Sequence, residues 1–460
     1  MFYPALAVAL IAEGAFCVPI CAYKKIVQPM TLTALYNLAD QQSQTVRVSE
    51  VALRAADEGV AAAKSALLPS MDLSLQGSYT GNAFMLSRGF SRDGATDYIV
   101  PGVGAVPMKN GKQDTPHWGN SFTAQVSQVV YAGSIIRSGI RMAELGREMA
   151  ELNVENNRQE VRFLLTGYYL DLCKLSNQIE VIRQNIALTQ TELKQMKARR
   201  AEGTVLQNDI TRYEFQLQNL ELTLTKLTDA SAVINHQLVT TLHLPEQTVL
   251  VPDKNELDAE INMLTAVAAQ ESWQQTAADN NLGIRQATVA ISLAEQKVKQ
   301  AKAASLPSVA IVAENQFFGP YTQDLIPKDC NVNVWFVGIG VKFNLSSLWK
   351  NKYNIRKARI EHWQSQEELT LTREGVENGV QASYTNLQTS YTEVNAQQKQ
   401  VELANQNYAV VQNRYQNGLA LLTDMVDASN MKLSAEMALV NARIGMLYNF
   451  YKLKYVTNTL

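Results

Sequence analysis

The stretch VRFLLTGYYLDLCKLSNQIEVIRQNI, residues 161–186, decides the fold of this chain. Its apolar residues recur every three or four positions, and this period places them along one stripe of an α-helix, as in the seam of a coiled coil. The stretch therefore predicts a helix that packs lengthwise against other helices. The apolar residues recur at alternating spacings of four and three: Val161, Leu165, Tyr168, Leu172, Leu175, Ile179, Ile182 and Ile186.

The positions of the prolines extend this helix in both directions. No proline occurs between Pro116 and Pro245, or after Pro327, and proline breaks the interior of a helix. We therefore predict a long helix over 135–202 with a returning helix over 205–242, and a second such pair over 349–416 and 420–455. At a rise of 1.5 Å per residue each long helix extends on the order of 100 Å, which indicates a tube or a coiled-coil stalk.

The two pairs of helices belong to an internal repeat. A shift of 215 residues aligns them without a gap, and Leu-Pro-Ser occurs at both 68–70 and 306–308. We predict a first repeat over 23–243, a linker region over 244–275 and a second repeat over 276–460. Identical pairs at this shift include Ile140/Ile355, Arg158/Arg373, Val161/Val376, Tyr169/Tyr384, Leu172/Leu387, Arg199/Arg414, Gly203/Gly418 and Asp209/Asp424.

Each Leu-Pro-Ser follows a predicted helix (about 31–67 and 277–305) and precedes two segments in which apolar and polar residues alternate. We predict strands over 71–82 and 120–131 in the first repeat, and over 308–318 and 332–344 in the second. The segment 84–119, rich in Gly, Asn, Asp and Ser, is predicted as a loop at an aqueous end. Such strands suit a transmembrane barrel, although a half-buried soluble sheet has the same period. Four strands cannot close a barrel, so in a membrane three chains would supply twelve.

This layout resembles the TolC family of trimeric outer-membrane efflux channels over nearly the whole mature chain. The resemblance depends on the duplicated order of elements, on the Leu-Pro-Ser before each first strand, and on RYQNG at 414–418 followed by Asp424 and Asp427. The stretch ASNMKLSAEMALVNAR at 428–443 also looks like the family's closing helix. The resemblance implies a mainly α-helical protein with a transmembrane β part. Three chains would form a 12-stranded β-barrel in the outer membrane, continuous with a long periplasmic α-helical barrel, and the region around 245–275 and the C-terminus would encircle it.

The resemblance also implies a passive mechanism. An inner-membrane transporter and a periplasmic adaptor protein would dock at the helical tips around Gly203 and Gly418, where glycine tolerates a positive φ. Substrate would then leave through the barrel, surrounded by outer-membrane lipid.

Four further positions are implied to work at the periplasmic entrance. Asp424 and Asp427 match acids that narrow the closed pore, and threefold symmetry would turn them into rings of negative charge. The alternative is that they are acids favoured in the first turn of a helix. Asp209 and Tyr415 match positions that join neighbouring hairpins in the closed state. Ala420 stands where a basic partner is expected, so the closed-state contacts of this chain must differ or be weaker.

Composition excludes several classes of function. Four histidines, four cysteines and a net charge of −2 leave little for a metal site, a disulfide framework or a nucleic-acid binder. We find no constellation of catalytic residues, so we expect neither enzymatic activity nor a cofactor. The apolar start of the chain, 1–22, is predicted to be a signal peptide, with lipidation at Cys17 or Cys21 a weaker interpretation because Phe16 and Ile20 precede them.

A competing interpretation comes from a different class of protein. An exported coiled-coil adaptor or scaffold, with no channel of its own, would also carry long helical hairpins. Such adaptors usually place one hairpin between β-rich domains, whereas this chain has two hairpins with strand pairs placed symmetrically.

Overall fold

The computed structural model describes residues 26–81, 83–85, 96–100, 104–108, 111–113, 116–253, 259–261, 269–321 and 329–460. The predicted signal peptide lies outside these residues, as do parts of the linker region and of the loop after the first strand. The described chain divides into two compact units. The first contains Met1–Arg47, Asn157–Asp279 and Asn378–Leu460, and the second contains Val48–Asn156 and Asn280–Glu377.

Helices dominate the described residues, and strands form a smaller part, as the fold-class prediction requires. The helices are α1 Leu32–Gln42, α2 Gln44–Ser65, α3 Ile135–Ala201, α4 Gln207–Thr241, α5 Gln270–Asn280, α6 Leu282–Ala303, α7 Ser347–Lys350, α8 Lys352–Gln416 and α9 Leu422–Val456. The strands are β1 Ile26–Met30, β2 Ser70–Tyr79, β3 Ala83–Met85, β4 Thr96–Val100, β5 Gly104–Met108, β6 Gly111–Gln113, β7 Trp118–Tyr131, β8 Thr248–Pro252, β9 Ser308–Gly319 and β10 Val332–Lys342.

The first unit is built on the C-terminal part of α3, with α1, α4, α9 and the C-terminal part of α8. Leu165, Leu170 and Ile182 of α3 are almost completely buried in it. A parallel pair, β1 and β8, lies in the same unit, and the Tyr169 hydroxyl donates to the Met30 carbonyl at the end of β1 (3.2 Å). The coiled-coil stripe of the sequence therefore becomes a buried helix contact.

The second unit contains a four-stranded antiparallel sheet in the order β10-β9-β7-β2. The central pairing, β7 with β9, joins the strands of the two repeats, so one sheet is made from both. Because register sets which side chains share a face, one row across the sheet consists of apolar residues from all four strands: Met71, Val126, Ala313 and Val337.

A glycine lets the turn between β7 and α3 pack closely against the end of α6. Gly133, between β7 and α3, has φ +56, and a Cβ there would lie 2.7 Å from the Leu306 Cβ and 2.9 Å from the Ala303 carbonyl oxygen. Only glycine allows both that backbone and that approach. The Leu-Pro-Ser of the second repeat thus packs beside the start of the first long helix.

The structure corrects three details of the sequence interpretation. The helix predicted over about 31–67 is broken at Ser43, whose backbone is extended (φ −61, ψ 126). The helix predicted over 277–305 is two helices, because the Asn281 side chain accepts from the Ile284 N–H and starts a new one. The segment predicted as a loop, 84–119, contains short antiparallel pairs, β3 with β6 and β4 with β5.

The ends of the other elements differ from the predicted bounds by a few residues. β2 ends at Tyr79, before Thr80 and Gly81, so the prediction of a strand to 82 is too long. α8 begins at Lys352, after the short helix α7, instead of at 349. Over the part of the chain that is described, no helix has both the length and the apolar character to cross a membrane.

Candidate functional site: the two hairpin tips

Two turns of similar geometry close the helical hairpins of the first unit. The first hairpin (α3 and α4) turns at Gly203, with φ +78, and the second hairpin (α8 and α9) turns at Gly418, with φ +73. The Thr204 N–H donates to the Arg199 carbonyl (3.1 Å), and the Leu419 N–H donates to the Arg414 carbonyl (2.8 Å). Each pattern caps a helix C-terminus with a glycine in the left-handed region.

The two tips pack on each other through a small apolar core. Leu193, Met196, Ile210 and Tyr213 of the first hairpin are buried in one cluster with Leu422 of the second hairpin. The half-buried Tyr415 packs against this cluster and also against a second one, formed by Tyr408, Met425 and Ala428. The hairpins therefore meet in an interface that excludes water close to the turns.

A series of polar residues on α3 faces this interface. Gln178, Asn185, Glu192 and Arg199 are spaced by seven residues, so they lie along one stripe of the helix. The first three are buried, and each of the four forms a hydrogen bond with the second hairpin. We call these four residues the polar ladder. The bonds are Gln178 Nε2 to Asn441 Oδ1 (2.8 Å), Asn185 Nδ2 to Glu436 Oε2 (3.2 Å), Gln412 Nε2 to Glu192 Oε1 (2.6 Å) and Arg199 Nη2 to the Gln416 carbonyl (2.5 Å).

Glu192 is a buried charged residue of the polar ladder. Its side chain is 6% exposed, and three tyrosines lie near enough to feel its carboxylate. Burial, together with that negative charge, raises the pKa of Tyr408 to about 12. Burial and neighbouring negative groups also raise the pKa of Tyr213 and Tyr415. The three hydroxyls therefore stay protonated at neutral pH, around a carboxylate that needs hydrogen-bond donors.

This arrangement can hold the two hairpins together. Among the described residues, no group of three or more His, Cys, Asp or Glu side chains could hold a metal ion. The polar contacts join side chains of the first hairpin to the second hairpin.

Comparison with known proteins identifies the family. A family model described as "Outer membrane efflux protein" matches residues 35–242 and 273–458, which is most of the chain. The chain belongs to the outer membrane efflux protein family. The resemblance inferred from the sequence is confirmed.

Individual relatives agree with this assignment. The chain is 22% identical to the outer membrane protein TolC of Salmonella enteritidis over 450 residues, which cover 95% of this chain and 84% of that protein. It is 22% identical to the outer membrane efflux protein BepC of Brucella suis biovar 1 (strain 1330) over 439 residues, covering 94% and 86%. In structure it is similar to the outer membrane protein VceC from Vibrio cholerae, with a TM-score of 0.69, 17% identity, and 93% and 95% of the two chains covered.

Membership of the outer membrane efflux protein family fixes location and class of function. The protein lies in the outer membrane with a large periplasmic helical portion, and it is the outer-membrane channel of a tripartite efflux system. Members of the family are channels, not enzymes. The competing interpretation, an exported adaptor without a channel, has no support in these comparisons.

Family membership does not by itself assign roles to the residues singled out from the sequence. The structure places Gly203 and Gly418 at the two turns. Tyr415 lies near Asp209, because the Asp209 carboxylate is, after burial, the next largest influence raising the pKa of Tyr415. Both are half-buried, Asp209 in the first turn of α4.

Asp424 and Asp427 are exposed on the first two turns of α9. The Asp424 Oδ2 accepts the Leu421 N–H (3.1 Å), so this carboxylate caps its own helix, as the alternative interpretation of these acids expects. Asp427 lines a groove between α8 and α9, together with Asn407 and Met431.

Sequence reasoning missed the polar ladder, including the buried Glu192. A signal was present, because four polar residues recur every seventh position beside the apolar stripe of α3. The absence of a basic residue at 420 also has a structural counterpart. A basic residue does join the hairpins, but it is Arg199, which donates from the first hairpin to the second.

Proposed function

We propose that three copies of this chain form a closed channel that crosses the outer membrane as a twelve-stranded barrel. The observation that carries the proposal is the open four-stranded sheet in the second unit. Its apolar face is exposed in the single chain, with Leu73 at 74%, Leu75 at 83% and Ile339 at 74%. An exposed face of this size needs lipid or protein against it.

The edges of the sheet support the number of copies. β2 and β10 each pair on one side only among the described strands. Unpaired backbone groups cost several kcal/mol each in lipid, so the edges must meet in a closed ring. With four strands per chain, three copies give a ring of twelve. The barrel would present its apolar face to lipid and its polar face, including Asp72 and Glu314, to water.

Transport through this channel is passive. The energy for transport would come from another component of the tripartite system. An inner-membrane transporter and a periplasmic adaptor protein would deliver the substrate at the hairpin tips around Gly203 and Gly418. The cargo is set by that transporter.

The same tips would form the closure of the periplasmic end. The polar ladder and the apolar clusters hold the second hairpin against the first, and opening requires those contacts to separate. Glu192 with Gln412, Arg199 with the Gln416 carbonyl, and Asp209 near Tyr415 act as the closed-state contacts. Arg199 supplies the positive charge that Ala420 cannot.

Asp424 and Asp427 would narrow the closed entrance. Both carboxylates are exposed, and three copies would place six of them around one axis. Rings of this kind attract cations and repel each other. Asp427 tests the role more cleanly than Asp424, because Asp424 also caps its helix.

Fractionation and bilayer recording test the proposal together. We expect the protein to be extracted from outer membranes by detergent as a heat-labile trimer, and the purified trimer to give discrete conductance steps in planar bilayers. A monomer that is released by salt and inserts no conductance would overturn it.

A further inference from the structure

The internal repeat assigns an interface between copies. Inside one chain, the polar ladder of α3 bonds to the second hairpin. A shift of 215 places its counterparts on α8, and these four side chains are all exposed in the single chain. The counterparts are Glu393, Gln400, Asn407 and Arg414. The same stripe of helix is therefore covered in the first repeat and uncovered in the second.

The closed ring of the proposed trimer indicates which surface covers the exposed stripe of α8. Three chains with two hairpins each make a ring of six hairpins, and in a cyclic assembly each hairpin has a neighbour on both sides. The contact from the first hairpin to the second lies within a chain. The contact from the second hairpin to the next must lie between chains, and it meets the first hairpin of another copy.

We propose that α8 uses Glu393, Gln400, Asn407 and Arg414 to bond to the first hairpin of a second copy, as the polar ladder of α3 bonds to the second hairpin within one chain. This inference rests on the trimer of the proposed function. The partner atoms follow from the ladder by the same shift of 215, which converts Asn441, Glu436, Gln412 and Gln416 into Lys226, Glu221, Lys197 and Ala201.

The pairs predicted in this way are chemically complementary. Gln400 with Glu221 repeats the amide-to-carboxylate bond of Asn185 with Glu436. Asn407 with Lys197 repeats an acceptor on the long helix with a donor opposite, as in Glu192 with Gln412. The outermost pair, Glu393 and Lys226, joins opposite charges.

The fourth predicted pair repeats the arginine-to-carbonyl hydrogen bond found between the two tips of one chain. Arg199 donates to a backbone carbonyl, that of Gln416, and the shift pairs Arg414 with the backbone carbonyl of Ala201. In the single chain the Arg414 guanidinium donates to the Leu419 carbonyl of its own turn at 3.5 Å. That is a long contact, so Arg414 can be redirected to a better acceptor.

Exposed apolar side chains on α4 and α8 support the same contact between two copies of the chain. Phe215 (68% exposed) and Leu222 (54%) lie on α4, and Leu403 (53%) lies on α8 between the polar counterparts. Large exposed apolar residues beside complementary polar groups are the composition of a protein interface.

Crosslinking of the full chain in outer membranes tests the assignment. Cys173 and Cys330 are first changed to alanine. A short bismaleimide is then applied to the pair Glu393→Cys with Lys226→Cys, and separately to its counterpart within the chain, Gln178→Cys with Asn441→Cys. We expect the first pair to join two and three chains on a denaturing gel, and the second to give only internally joined monomer.

Charge reversal gives an independent measurement. Glu393→Lys should lower the ratio of trimer to monomer in detergent roughly fivefold, and adding Lys226→Glu should restore it. Glu402→Lys is the matched control, since Glu402 is exposed on the same helix and pairs with Lys399 of its own helix (2.7 Å). This control should leave the ratio unchanged.

The outcomes separate this inference from the proposed function. A conducting trimer that shows no interchain crosslink at 393 and 226, or no rescue by the double reversal, overturns the interface and leaves the channel intact. A chain that never forms a trimer overturns both.

Discussion

The hydrogen bond between Gln412 and Glu192 gives the most direct test of how the hairpins are held. Gln412→Ala removes the donor that lies 2.6 Å from a carboxylate whose side chain is only 6% exposed. A hydrogen bond to a charged group contributes about 1.5–3 kcal/mol, and a buried acceptor left without its partner incurs the cost of desolvation. Protonated tyrosine hydroxyls nearby can compensate in part, so we expect about 2 kcal/mol per chain.

That free energy predicts a large shift toward the open state. About 2 kcal/mol corresponds to roughly a 30-fold change in the equilibrium between closed and open hairpins. The assay is single-channel recording of purified trimer in planar bilayers, scored as open probability and mean conductance.

Gln406→Ala is the matched control. Gln406 lies on the same helix and donates to Glu402, but the bond is 3.3 Å long, exposed and confined to one helix. Removing such an i,i+4 contact changes stability by about 0.5 kcal/mol or less and should leave gating unchanged. If both variants conduct as the unmodified protein does, the polar ladder does not hold the closed state.

Three further predictions concern the tips. Asp424→Ala combined with Asp427→Ala should raise single-channel conductance and reduce cation preference, and unchanged values of both would contradict the pore role. Asp424→Ala alone should also lower stability by about 1 kcal/mol, because it removes a helix cap. Gly418→Ala should destabilise the protein by about 1–2 kcal/mol in thermal unfolding, because φ is +73 and a Cβ there would meet nothing within 4 Å, so that the cost comes from the backbone. The control Gly146→Ala, equally open but within α3, should stabilise the protein by about 0.5–1 kcal/mol. Equal effects of the two substitutions would refute backbone strain at Gly418. The pKa of Tyr408 rises from 10.0 in the unfolded chain to about 12 in the folded protein, so the unfolded chain loses the hydroxyl proton first as the pH rises. The stability that this pKa difference contributes below pH 10 is therefore lost between pH 10 and 12. Tyr408→Phe should lack this loss of stability, and identical pH profiles of the two proteins would exclude the contribution.

The long helices were predictable because their signal is strong and local. Val161, Leu165, Leu172 and Ile182 fall on one stripe, and the structure buries all four. Proline-free stretches and the repeat then set the extent of the helices. The strands were predictable for the same reason, since alternation needs only neighbouring residues.

The contacts between the two hairpins were not predictable, because they join distant parts of the chain. Gln178, Asn185 and Glu192 are polar, and polar residues on a helix are exposed by default. Their burial depends on Asn441, Glu436 and Gln412, more than 200 residues away. The periodicity of α3 alone does not identify those partner residues.

The break at Ser43 shows a second limit. The surrounding residues, QQSQ at 41–44, are compatible with a helix and include no proline or glycine. The segment before the break is fixed by tertiary contacts, since Asp40 accepts two bonds from Arg162 of α3 (3.3 and 2.5 Å). Tertiary structure overrides a weak local preference here.

The repeat also explains why the two interfaces of a six-hairpin ring need not be equally strong. Within a chain, the ladder bonds of Gln178 with Asn441 and of Gln412 with Glu192 each include one buried side chain, Gln178 or Glu192. Between chains, the corresponding partners are Lys226 and Lys197, which are exposed in the single chain. Exposed charge pairs are weak and are screened by salt, whereas buried bonds to a carboxylate are stronger. In the proposed trimer, we therefore expect the contact inside the chain to be the stronger of the two.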